Sequence, residues 1–260
     1  MRNADPIVDR SREMDETSWW DLWNKTHRTK EDNDPVSSEL FTRTAAVINE
    51  IVQRGPCRVL EIGCGAGSLS RLLNYCSYHG LDISPAAIDL ARQKSERTSP
   101  RSGASCPTYE AIDFHDWAQP AYLFDLAVCV DAVAYFRDQR FAMNKIARCL
   151  RPSGQLVLTT INPFVYHRIR RTQTKPLAEG PVSHWLTCSE LHALIESAGF
   201  RVEQSWTIMP RGNCGILRLI NSRTMNEAFG PRCAAMFRRA KERVGLGQYR
   251  IVVVRKEKVV

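Results

Sequence analysis

Val59-Leu60-Glu61-Ile62-Gly63-Cys64-Gly65-Ala66-Gly67 is an apolar run that closes on a carboxylate and then places glycine at every second position. A second apolar run, Gly80-Leu81-Asp82-Ile83-Ser84, also closes on a carboxylate, Asp82, fifteen residues past Gly67. A strand, a glycine turn, a helix, a strand and an acidic tip form the first half of a nucleotide-binding βαβ unit. The glycines let the backbone come close to a ligand, and the carboxylate can accept both ribose hydroxyls.

The usual ligand of such a unit is a dinucleotide, bound through G-x-G-x-x-G with helix N–H groups facing a pyrophosphate. This chain instead reads Gly63-Cys64-Gly65-Ala66-Gly67-Ser68, with the third glycine one place early and Glu61 set where it opposes a phosphate. A ligand with a ribose, no phosphate and a cationic centre suits these residues better, and S-adenosylmethionine is such a ligand. At this point the chain resembles the class I S-adenosylmethionine-dependent methyltransferases, whose first motif is E/D-x-G-x-G-x-G with an acidic residue after the second strand. The likeness runs over roughly residues 55–255.

The resemblance implies a doubly wound, Rossmann-like, mostly parallel seven-stranded α/β sheet with helices on both faces. Residues 1–54 then form an N-terminal tail and helical cap. Residues 55–260 form the catalytic domain, with a lid inserted at about 162–187, where Asn162–Leu186 is rich in proline and cations and has no clear period. Loops of that length are uncommon unless they cover a site. Strands are expected at 58–62, 78–81, 108–112, 125–130, 155–161, 200–206 and 248–254. A helix carrying Leu69, Leu72 and Leu73 should follow the glycine turn, and Arg151-Pro152-Ser153-Gly154 should be a turn.

Carried over position by position, the resemblance places Gly63, Gly65 and Gly67 beneath the methionine part of the cofactor, with Glu61 steadying the loop. Asp82 takes the ribose hydroxyls and Ile83 packs on the adenine. Asp113 stands where relatives bond the adenine amino group, Phe114 where they cover the ring, and Val130 where a backbone carbonyl receives the ammonium. Trp19 and Trp23, four apart on one helix face, either roof the sulfonium, where a cation–π contact is worth about 0.5–2 kcal/mol, or dock the N-terminal helix, or do both.

Many small-molecule members read E-x-x-x-H after the fourth strand. Here Asp131-Ala132-Val133-Ala134-Tyr135 puts a phenol in place of the usual base. Tyr135 is a candidate for orienting the nucleophile, as tyrosines do in N-methyltransferases resembling the nodulation-factor enzymes, or else it is a packing aromatic. His115, His167 and His184 are the candidate bases, His184 within His184-Trp185-Leu186-Thr187-Cys188-Ser189-Glu190-Leu191, a segment similar to the cap region of bacterial O- and N-methyltransferases. Displacement at a methyl carbon needs chiefly that nucleophile and methyl be held ~3–3.5 Å apart, so an amine or an already acidic oxygen is the favoured nucleophile.

The partner expected is a small-molecule acceptor, anionic or carrier-bound. Residues 151–260 hold 18 Lys+Arg against 7 Asp+Glu, whereas residues 1–150 hold 18 against 21. The basicity is thus a C-terminal property, read either as a solvated surface or as attraction to an acidic partner. Action on RNA is less expected, because no nucleic-acid module and no aromatic-interleaved basic strand is present. A non-catalytic S-adenosylmethionine-binding subunit is the further alternative. No apolar run reaches the ~18 residues of a membrane helix, and Met1–Pro6 is polar, so a cytoplasmic setting is expected. The nine cysteines lack C-x-x-C spacing, and no metal site is expected.

Overall fold

The computed structural model describes residues 15–31, 34–53, 55, 57–75, 77–97, 105–169, 184–212, 214–222 and 230–257. Two helices come first, α1 (Glu16–Glu31) and α2 (Pro35–Val52). They are followed by β1 (Arg58–Ile62), β2 (Ser77–Asp82), α3 (Pro85–Glu96), β3 (Thr108–Ala111), β4 (Phe124–Val130) and α4 (Gln139–Cys149). Then come β5 (Leu150–Ile161), α5 (Pro163–Tyr166), α6 (Cys188–Ser197), β6 (Phe200–Pro210), α7 (Ile216–Ile220), α8 (Gly230–Arg243) and β7 (Gly247–Lys256).

The seven strands form one sheet in the order β3-β2-β1-β4-β5-β7-β6. β1 to β5 run parallel, and β7 runs antiparallel to both β5 and β6. The order reverses between β1 and β4, and the crevice at such a switch point, at the carboxyl ends of the strands, is where ligands of this architecture bind.

Strand alternation explains the two-layer core. In β4, Leu126, Val128 and Val130 pack with Leu40, Ile48 and Ile88 of α2 and α3, whereas Ala127 and Cys129 pack with Met143, Ile146, Leu191 and Ile195 of α4 and α6. Each face therefore buries apolar side chains under its own helices, at about 1.5–3 kcal/mol for a fully covered Leu or Ile. Burial raises the pKa of the Cys129 thiol to about 12.

Several expectations need correction. The segment after the glycine turn is not an α-helix but turns closing in a 3-10 turn over Ser70–Leu72. Ser70 Oγ turns back to Gly67 O (2.9 Å) and to Tyr109 Oη (2.8 Å), competing with helical bonding. Asn49 of α2 ties the segment down from outside, donating to Leu72 O and accepting from Asn74 N, both at 2.8 Å. Leu69 and Leu73 are buried in this short path, so a helix is not needed to reach the core.

The expected turn at 151–154 lies inside β5, which starts at Leu150 and absorbs the irregularity through a left-handed Ser153 (φ 64°) and a register shift against β4. β6 runs four residues further than expected, to Pro210. α1 continues through Lys30 to Glu31. α2 begins at Pro35 because Asp34 caps it, accepting from Ser37 N (2.9 Å) ahead of Pro35 at the first helical position. Most of the expected tail, at 1–14, and of the expected lid, at 170–183, lies outside the described residues.

Candidate active site

The glycine turn hangs from the end of β2. Gly63 N and Cys64 N both donate to Leu81 O, at 2.8 and 2.9 Å, and Gly67 N donates to Cys64 O at 3.0 Å. Gly63 and Gly67 have φ of 74° and 66°. A Cβ on Gly63 would lie 2.6 Å from the Ala132 methyl, and one on Gly67 2.9 Å from Tyr109 Oη. The backbone therefore folds here only without side chains.

Asp82, at the tip of β2, is held by this turn. One carboxylate oxygen accepts from Gly65 N (2.8 Å) and the other from Ser84 N (3.0 Å), while Ile83 between them is half-buried. Glu61 lies one layer lower, 1% exposed, and accepts the Tyr78 hydroxyl. Burial first, and then the charge of Glu61, pushes the Tyr78 phenol well above its usual range. Glu61 thus ties β1 to β2 inside the sheet, below the glycine turn.

α1 is latched onto the same corner. Asp21 Oδ1 accepts from Ala86 N (2.8 Å) and Ser84 Oγ (3.3 Å) at the start of α3. Burial works against ionisation of Asp21, but the bonds from Lys25 and Ala86 outweigh it and hold the carboxyl below its ordinary value. Trp19 and Trp23 are buried, and Trp20 sits between them, with ring centroids 4.8 and 5.9 Å away. It is Trp20 whose ring meets Tyr135, at 4.9 Å and 89°. Asn24, one turn on, donates to Trp20 O and keeps a buried Oδ1 with no hydrogen-bond partner.

Asp113 follows β3 and accepts from His115 N (2.7 Å) and His115 Nδ1 (2.9 Å). Arg137 lies 3.7 Å from its other oxygen. Burial, and then the Asp113 charge, raises the Glu16 carboxyl on α1, so the first turn of that helix faces this cluster. His115 stacks on Phe141 and its second ring nitrogen is 3.1 Å from Asp138 O, so both nitrogens are engaged structurally. Phe114 lies within the core, its ring between those of Trp117 and Phe136. Lys145 Nζ stands 5.2 Å from the Phe114 ring centre.

Val130 is buried at the end of β4. Asp131 follows in the left-handed region (φ 52°), its N–H shared between Thr159 O and Oγ1, both at 3.0 Å. Such a conformation costs about 1–2 kcal/mol outside glycine and is typical of functional corners. Tyr135 ends the 3-10 turn Val133–Tyr135 and is half-buried. His184 N donates to Ala134 O (3.4 Å), and Gln139 donates to His184 O (2.8 Å). The His184 ring, in contrast, is exposed and 3.5 Å from Glu190. His167 is exposed beside Trp185, and Trp185 meets Tyr166 at 4.4 Å and 74°.

Sequence reasoning missed Trp20, Asp21, Asn24 and Asp131. The only signal for Asp131 is its position directly after a buried strand, and for Asp21 its place on the helix that carries the tryptophans. Among the described residues no cluster of His, Cys, Asp and Glu could hold a metal, and no helix is long and apolar enough to cross a membrane. Glu61, Asp82 and Asp21 bring three carboxylates to the region of the glycine turn, an acidic set that fits a ribose and a cationic centre and opposes a phosphate.

Residues 36–205 match a family model described as a methyltransferase domain. The chain is 27% identical over 178 residues to a malonyl-[acyl-carrier protein] O-methyltransferase of Brevibacillus brevis, covering 64% of this chain and 62% of that protein. It is 29% identical over 162 residues to a ubiquinone biosynthesis O-methyltransferase of Aromatoleum aromaticum, covering 62% and 64%. These matches span less than two thirds of either relative. The fold is shared with an S-adenosylmethionine-dependent methyltransferase from Mesorhizobium loti (TM-score 0.57, 22% identity, 87% and 100% covered). It is shared also with the N-methyltransferase NodS from Bradyrhizobium japonicum WM9 in complex with S-adenosyl-L-homocysteine (TM-score 0.58, 18% identity, 98% and 100% covered).

Proposed function

The chain belongs to the class I S-adenosylmethionine-dependent methyltransferases, and from that premise we propose that it methylates a nitrogen or oxygen atom of a small-molecule acceptor. The observation that carries this reading is the meeting of Trp20 with Tyr135, which sets an aromatic pair on the helix that Asp21 ties to the start of α3, two residues past Asp82.

When bound, S-adenosylmethionine supplies a methyl carbon on a positively charged sulfur. The chain's own contributions are positional. Gly63, Gly65 and Gly67 let the main chain pass close beneath the ligand, Asp82 accepts its ribose hydroxyls, and Ile83, Asp113, Phe114 and Val130 frame the adenine and ammonium ends. Trp20, with Trp19 and Trp23 behind it, excludes water, and Tyr135 orients the attacking atom. Holding reactants in a near-attack arrangement can contribute up to ~7–11 kcal/mol without acid or base.

An amine sheds its proton after attack. For an oxygen acceptor the proton goes to His184, the candidate base whose ring stands outside the core while its main chain is tied beside Tyr135. We assign the described parts of residues 1–54 and of the segment at about 162–187 to the walls of the acceptor pocket. A second reading, an acceptor delivered on an acidic carrier protein, is favoured by Arg218, Arg232, Arg239 and Arg243. These are exposed, with no ion pair among the described residues. One relative is named for such a carrier-bound substrate.

Calorimetry with S-adenosylmethionine and S-adenosylhomocysteine, followed by a panel of amines, phenols and carboxylic acids assayed for methylated product, tests the reading. Affinity for neither nucleoside would remove it. Turnover only on a carrier-bound acyl group would replace the free acceptor with the carrier reading.

A further inference from the structure

Four buried side-chain atoms have no hydrogen-bond partner among the described residues: Asn24 Oδ1, Thr160 Oγ1, Trp185 Nε1 and Gln248 Oε1. Buried polar groups are satisfied in more than nine cases in ten, so three orphans in one part of the molecule call for a reason. Thr160, Gln248 and Trp185 are such a set.

Thr160 is the penultimate residue of β5 and is 2% exposed. Gln248 is the second residue of β7, its carbonyl accepting from Asn162 N at 2.8 Å just beyond the end of β5. Side chains alternate along strands. Leu158 of β5 and Val252 of β7 pack in the core layer under α4 and α6, so Thr160, Gln248 and Arg250 face the same layer. Leu186, next to Trp185, packs in that layer too, and the Trp185 ring meets Tyr166, four residues past Asn162. All of these stand at the carboxyl edge of the sheet, beside the β4 end that carries Tyr135.

Arg250 is directly across from Thr160 in the ladder. It is half-buried, and its guanidinium has one polar contact, to Ser205 Oγ at 3.2 Å, with no ion pair among the described residues. A partly buried cation with no anion beside it draws an anionic ligand to this corner.

We propose that this corner is a carboxylate-binding subsite of the acceptor pocket. It takes a small carboxylic acid with a hydroxyl or amino group close to its carboxylate. The two carboxylate oxygens receive the Arg250 guanidinium, the Trp185 indole N–H and the Thr160 hydroxyl, and the neighbouring O–H or N–H donates to Gln248 Oε1. A single cation with two neutral donors matches the charge and oxygen count of a carboxylate better than a phosphate dianion. The proposal rests on the methyltransferase reading for the identity of the pocket, but the binding it describes is measurable without turnover.

The test is calorimetry at neutral pH with salicylate, anthranilate, lactate and phenylalanine, each against its primary amide, with S-adenosylhomocysteine present at saturation. At least one acid should bind, with its amide about tenfold or more weaker. Arg250→Gln should weaken that acid about 10- to 100-fold and leave the amide nearly unchanged. Trp185→Phe and Thr160→Val should each weaken the acid about 3- to 10-fold.

No binding by any of the acids, equal binding of acid and amide, or equal weakening of both by Arg250→Gln would overturn the subsite. Should Arg250→Gln fail to fold, the indole resonance of Trp185, assigned through Trp185→Phe, replaces it. That resonance should move on addition of the acid and stay still with the amide, and the absence of a difference counts against the proposal. Failure of S-adenosylhomocysteine to bind would instead remove the methyltransferase reading, since acid binding is read separately.

Discussion

The Trp20 ring meets Tyr135 edge-on, with centroids 4.9 Å apart and planes at 89°. One residue comes from the first helix and the other from the turn after β4, and their contact brings the N-terminal helix to the carboxyl end of β4. An edge-to-face pair is worth about 0.5–1.5 kcal/mol beyond its buried area. Trp20→Ala should lower cofactor affinity about five- to tenfold, whereas Trp20→Phe should retain most of it. Calorimetry on the two variants decides the matter: unchanged affinity in Trp20→Ala would confine α1 to a packing role.

Asp82 is pinned by two backbone N–H groups, which orient its carboxylate but leave it able to accept further bonds. Replacing it by Ala should reduce cofactor affinity by ~1.5–3 kcal/mol, the usual loss for hydrogen bonds to a charged group. Asn in its place should fall between the two. An affinity equal to wild type in Asp82→Ala would mean that the ribose lies elsewhere.

Asp21 reaches from α1 to the first turn of α3. Asp21→Ala removes a cap-like contact and should destabilise α1 docking by about 0.5–2 kcal/mol. Hydrogen exchange should speed up over residues 16–26 and leave β4 unchanged. The Asp21 carboxyl is held below 3.8 in the folded protein, so its contribution is complete above that value and disappears as pH falls through the lower folded value. Protection of α1 that is the same in variant and wild type at neutral pH would refute the latch.

His79 stacks on Trp117 and bonds to Thr108, and its burial lowers its pKa from 6.5 despite the nearby Glu110. Above 6.5 both folded and unfolded states are neutral here. Below it the unfolded chain takes up a proton first, so stability should decline as pH drops from 6.5 towards the folded pKa and then level off. Thermal melts across that window should show the decline in wild type and a weaker one in His79→Gln. Identical slopes would mean other groups control the acid limb.

The strands and the glycine turn were readable because their signals are local: an apolar run, glycines where φ is positive, and a carboxylate at a strand tip. The missing helix after Gly67 was not readable, since Ser70 bonding to Tyr109 and Asn49 clamping Leu72 both come from remote parts of the chain. His115 illustrates the same limit from the side of function. As a sequence position it qualifies as a base, yet Asp113, Asp138 and Phe141 surround its ring.

By itself the order of residues determined the α/β architecture, the glycine turn and the acid at its edge, because backbone conformation and strand period depend on near neighbours. Only the tertiary structure decided which tryptophan meets Tyr135, what holds the first helix there, and where unpaired polar atoms gather beside β5 and β7. Those outcomes depend on distances between segments that are far apart along the chain, and such distances are set by packing of the whole sheet.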